Sequence, residues 1–226
     1  GNEVVRLFPE TTLFGGFSGT ETLREQRDAS ANPTVIDGQY QRRGITADGM
    51  SSVDGFTICN GWADYGGGMN YGTATNCTFS RNWARYSGGG MYSGTASRCI
   101  FSENHGSENG AGMSDSTATN CSFVRNGASD YGGGMFGGTA VNCVFTGNVS
   151  YFESGGAMYF GTATNCVFSA NEARIGGGMY NGTAVNCTLF GNLATWGGGM
   201  CGGAAKNCVL WGNMGDTTSD TTVSYS

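Results

Sequence analysis

The chain has 226 residues, of which 42 are glycine, only 2 proline and 12 % charged, with a formal net charge of −6. That charge, with no basic cluster, excludes a phosphate-tracking nucleic-acid surface, and no apolar run approaches the ~18 residues of a membrane-crossing helix. So much glycine would suit a disordered chain, but 13 Phe, 10 Tyr and 4 Trp within 38 % apolar residues supply a core.

Residues 1–60 read as degenerate coils of a repeat that becomes regular later. Val4-Val5-Arg6-Leu7-Phe8, Thr12-Leu13-Phe14-Gly15-Gly16-Phe17, Thr34-Val35-Ile36-Asp37-Gly38 and Val53-Asp54-Gly55-Phe56-Thr57-Ile58 are predicted as short strands. Residues 20–32, polar and charged, are predicted to leave the body of the fold as an excursion.

Residues 61–213 carry seven regular copies. Methionine recurs at Met69, Met91, Met113, Met135, Met158, Met179 and Met200, in steps of 21 to 23 residues. Cysteine follows eight residues later each time, at Cys77, Cys99, Cys121, Cys143, Cys166, Cys187 and Cys208. Two residues further on stands Phe79, Phe101, Phe123, Phe145, Phe168, Leu189 or Leu210, and three beyond that Asn82, Asn104, Asn126, Asn148, Asn171, Asn192 or Asn213. All length variation falls between the asparagine and the glycine-rich turn before the next methionine. One arc of the coil is therefore elastic and the rest rigid. Residues 214–226 are predicted to lead into a further coil.

A fixed period this short, rich in Gly, Thr, Cys and Phe, suits stacked strands joined by glycine turns. The predicted fold is all-β: a parallel β-helix of about 22 residues per coil and roughly ten coils. Strand alternation places Met69, Ala74, Cys77 and Phe79 inward and Asn70, Thr73, Thr75 and Thr78 outward, with a reversal near Asn76. Coils stacked ~4.8 Å apart bring like residues into columns. The asparagine column is predicted to form an amide ladder. The cysteine column is predicted to be a ladder of free buried thiols, because parallel side chains are poorly placed for a disulfide.

Phe14-Gly15-Gly16-Phe17-Ser18-Gly19-Thr20-Glu21-Thr22, Gln26-Arg27-Asp28, Val53-Asp54-Gly55-Phe56-Thr57-Ile58 and every Gly-Gly-Gly-Met and Asn-Cys-x-Phe copy carry a resemblance that covers nearly the whole chain. The chain resembles bacterial right-handed parallel β-helix repeat proteins of the pectin-lyase-like superfamily. Its repeat is similar to that of polymorphic outer-membrane and autotransporter passenger proteins. The resemblance implies right-handed coils and a secreted or surface-displayed bacterial protein, and it implies little about activity. In such proteins a segment like Val223-Ser224-Tyr225-Ser226 starts further sequence, so a piece of a longer chain, or stacking through uncapped ends, is expected.

Residues that the repeat does not need are the candidates for function. Glu108, Asp130 and Glu153 are expected on adjacent coils, where three carboxylates suit a calcium ion or a general acid–base pair. The sole histidine, His105, lies in the irregular third repeat with Glu103, Glu108 and Asp115. Arg81, Glu103 and Arg125 share a column, so Glu103 is expected to be an ion-pair rung. Tyr92, Phe136, Tyr159 and Tyr180 are expected to form an outward aromatic stripe that binds a glycan or a protein. Cys201 follows an inward methionine and is expected to expose its thiol.

Three readings stay open. One is a non-catalytic secreted or cell-surface structural or adhesive protein that self-associates end to end or laterally. A second is a carbohydrate-active lyase or hydrolase acting on acidic polysaccharide, with Arg85 and Arg174 near the carboxylates. The third is a glycan- or protein-binding module built on the aromatic stripe. No cofactor other than calcium is indicated.

Overall fold

The computed structural model describes residues 2–216 and 218–224. They form an all-β parallel β-helix of about nine turns, with about 22 residues per turn and no α-helix. Among the described residues the strands form parallel sheets of 17, 9 and 5 members.

One coil shows how the sequence makes these sheets. Met69–Asn70 and Thr73–Thr75 lie in the first sheet, Thr78–Ser80 in the second and Trp83–Ser87 in the third. The corners are left-handed residues: Asn76 at φ 50° and Arg81 at φ 53°. Gly88, at φ 71°, turns the chain back into the first sheet. Successive coils pair in strict register, with Met91 on Met113, Ala96 on Ala118 and Phe101 on Phe123.

The inward columns are sealed. The repeat Met and Ala residues, Phe79 to Phe168 and Leu189 are 0 % exposed and the ladder cysteines at most 3 %. The phenylalanine rings lie 4.6 to 5.0 Å apart and within 8° of parallel. Each buried ring contributes about 1.5–3 kcal/mol by removal from water. All nine cysteines are free and buried. The Cys99 thiol donates to the Ser97 carbonyl at 3.3 Å, and its backbone N–H donates to the Cys121 sulfur at 3.4 Å.

The asparagine ladder is fully satisfied. The Asn104 Oδ1 accepts from the backbone N–H and the amide of Asn82, both at 3.0 Å. Its Nδ2 donates to the Phe79 carbonyl at 2.9 Å and to Asn126 Oδ1 at 3.0 Å. The glycine-rich arc is set by close approach: a Cβ on Gly89 would collide with the His105 carbonyl oxygen of the next coil.

The N-terminal coils differ in detail from the expected strands. The strands are Glu3–Arg6, Thr12–Phe14 and Thr34–Asp37. The segment read as one strand over 53–58 is two, Ser52–Asp54 and Phe56–Cys59, because Gly55 at φ 80° is the corner between two sheets. Arg43–Thr46 is a further strand whose one large apolar side chain, Ile45, is fully buried. The 20–32 segment is mostly exposed and holds a single 3-10 turn, Arg24–Gln26. Arg27 ties it back by an ion pair to Asp54 at 2.8 Å, and the guanidinium groups of Arg24 and Arg27 lie over the Phe14 ring at 5.0 and 5.2 Å. Beyond residue 214, Thr218–Ser219 and Thr222–Ser224 pair with Met200–Lys206, while Tyr225 and Ser226 lie outside the described residues.

Candidate functional site

The register places the predicted residues. Glu108, Asp130 and Glu153 lie on successive coils: the Asp130 N–H donates to the Glu108 carbonyl at 3.0 Å, and the Ser154 N–H, next to Glu153, to the Asp130 carbonyl at 3.1 Å. Their side chains do not converge. Among the described residues no three Asp, Glu, His or Cys groups are gathered so as to hold a metal ion. Like charges one rung apart repel. Arg174 occupies the next rung but makes no ion pair with Glu153 among the described residues. Arg85 lies apart, over the Tyr86 ring at 5.3 Å.

Two further expectations are corrected. Cys201 stands in the outward column beside Tyr180, yet it is only 8 % exposed, because the strand Thr218–Ser219 pairs alongside it. Burial pushes its thiol up from the usual range. Glu103 is not an ion-pair rung: Arg81, Glu103 and Arg125 share a column, but among the described residues none of them forms an ion pair.

The aromatic stripe divides at Ser114, which is fully buried between its column neighbours Tyr92 and Phe136. Tyr92 packs with Tyr65 at 5.0 Å. Phe136, Tyr159 and Tyr180 form a separate stack at 5.4 and 5.1 Å, with planes 7° and 14° apart. Rings stacked along the axis cover one another's faces, and a sugar needs an open face to stack on.

A groove at the corner of the second and third sheets joins Tyr40 and Trp83 to the column of Arg81, Glu103 and Arg125 and to His105. Tyr40, Arg81, Trp83, Glu103, His105 and Arg125 line it, and its volume is about 730 Å³. Trp62, Trp83 and His105 occupy successive rungs of the third sheet, the two indoles 6.5 Å apart and 56° from parallel. Gly127 follows His105 in that column, and the Tyr151 ring packs where a Cβ on Gly127 would stand.

The backbone under the groove is the informative part. Arg81, Glu103 and Arg125 are left-handed, at φ 53°, 54° and 53°. The same corner in later coils is Gly147, Ala170, Gly191 and Gly212. A side chain there costs roughly 1–2 kcal/mol that glycine avoids. Three charged residues here depart from the small residues that the later coils use at the same corner. Neither guanidinium makes a side-chain hydrogen bond among the described residues. Asp37 lies near Arg81, but its carboxyl is occupied: it is held below its usual range first by the Gln39 N–H, then by the Asn60 amide, with Arg81 adding a smaller share.

Two planar cationic forks, a carboxylate between them, an imidazole and an exposed indole can bind an anionic molecule that also has an apolar face. The arrangement makes a fixed surface of hydrogen-bond donors on a rigid rod. No family model matches the chain, and no curated protein and no solved structure matches it.

Proposed function

We propose that the chain is a non-catalytic structural and adhesive β-helix, secreted or displayed at a bacterial cell surface, that binds a glycan through the groove around Trp83. The resemblance of its repeat to pectin-lyase-like and autotransporter passenger proteins supports the right-handed coil and the location. The single observation that carries the binding role is the groove in which Arg81, Glu103 and Arg125 stand on one corner column beside Trp83 and His105. The test is retention on immobilised acidic glycans at low salt. Arg81→Ala combined with Arg125→Ala should weaken retention by roughly tenfold or more, with the circular dichroism spectrum unchanged. Equal retention of variant and wild type sinks the proposal.

A second reading rests on the presence of both Glu103 and His105 in that groove. A carboxylate and an imidazole are a general acid–base pair in kind, which suits a polysaccharide lyase or hydrolase. New reducing ends or unsaturated products released by wild type, and lost in His105→Ala, would favour this reading.

A further inference from the structure

We infer that the groove is matched to an alternating acidic glycan, one in which each charged sugar is followed by an uncharged one. This rests on the proposed binding role of the groove and adds the class of ligand. Arg81, Glu103 and Arg125 stand on three consecutive rungs, since the Arg81 N–H donates to the Ser102 carbonyl and the Glu103 N–H to the Val124 carbonyl. Parallel strands are ~4.8 Å apart, so the two arginine backbones are ~9.6 Å apart with the glutamate midway.

An extended chain of pyranose rings advances by about one rung per sugar. A ligand lying along the axis therefore meets a positive, a negative and a positive group at successive sugars. A polymer charged at every unit places one carboxylate against Glu103, and that like-charge contact opposes binding. A neutral polymer leaves both guanidinium groups without an anion. An alternating polymer places a carboxylate at each arginine, in charge-assisted hydrogen bonds. Its neutral unit then offers hydroxyl or amide N–H donors to Glu103. Trp83 and His105, adjacent in the neighbouring column, present flat apolar surface beside the same rungs.

The test is titration calorimetry of the full chain at low salt against four probes of similar length. They are hyaluronan oligosaccharide, with glucuronate at alternate units; oligogalacturonate, charged at every unit; chito-oligosaccharide, uncharged; and poly-glutamate, an acidic peptide. Hyaluronan should bind tightest, by roughly tenfold over oligogalacturonate. Arg81→Ala and Arg125→Ala should each weaken it. Glu103→Gln should narrow the gap by improving oligogalacturonate binding, with thermal unfolding confirming that the variant is folded. If Glu103→Gln does not fold, the wild-type ranking alone decides. Arginine-dependent binding of oligogalacturonate as tight as that of hyaluronan, or a ratio unchanged in folded Glu103→Gln, overturns the alternation while the groove stands as a glycan site. Tighter binding of poly-glutamate, or no arginine-dependent binding of any probe, overturns both the alternation and the glycan-binding role.

Discussion

At Glu21 the backbone does what a cation does elsewhere. Its carboxylate accepts the N–H groups of Ser18 at 2.7 Å, Gly19 at 2.9 Å and Thr20 at 3.0 Å. Hydrogen bonds, that from the Ser18 N–H first and that from Gly19 among them, lower its pKa from 4.5 to about 2. The folded value lies below the unfolded one, so the stabilisation is complete above pH 4.5 and is lost as pH falls through about 2. The Glu21 carboxyl should titrate with a midpoint near 2 by NMR, with the Gly19 and Thr20 amide resonances moving together with it. A midpoint near the unperturbed 4.5 would remove this account of the turn. The groove residues illustrate the limit of reading at this scale. Arg81, Glu103, His105 and Arg125 are visible in the sequence as departures from the repeat, and their column follows from counting. Tyr40 belongs to a degenerate coil with no countable register, so its place beside them needed the folded chain.

At the scale of the element, the buried and exposed asparagines separate what a ladder does from what a turn does. Asn104 is fully buried and makes four side-chain hydrogen bonds to groups that have no water to replace it. Asn104→Ala should cost about 3 kcal/mol or more, because several orphaned polar groups stay buried. Asn142 is exposed at a left-handed corner, φ 53°, and donates to Asn120 Oδ1 at 3.2 Å. Asn142→Ala should cost only about 1 kcal/mol, mainly from the backbone conformation. Urea unfolding of both variants checks the contrast, and equal losses would contradict the assigned roles. The interior ladder was legible in advance because Asn recurs three residues after each inward Phe or Leu. The outward stripe was legible only in part: Tyr92 and Phe136 share a column, but Ser114 between them breaks the stack.

Across the whole molecule, each coil contacts only its neighbours, so stability is nearly a sum of coil and interface contributions. The thiol ladder reports on this, because its seven cysteines run through seven successive coils. A thiol reagent should label all nine cysteines slowly in native buffer, Cys201 included, and all nine rapidly in strong denaturant. Intermediate urea should give partly labelled molecules rather than an all-or-none mixture, as mass spectrometry of the labelled chain would resolve. Fast native labelling of Cys201 would contradict its cover by Thr218–Ser219.

The period, the inward and outward faces, the asparagine and thiol ladders and the class of fold were determined by the sequence alone. A repeat of about 22 residues has one way to bury its Met, Ala, Cys and Phe together: by stacking against its own copies. The tertiary structure decided what lies between columns. It showed that Glu108, Asp130 and Glu153 lie on successive coils without converging, that Cys201 is covered, and that Tyr40 and Trp83 share a groove with the corner charges. Register along the axis follows from counting residues, whereas the direction of an outward side chain and the reach of an irregular loop depend on contacts across coils that no period encodes.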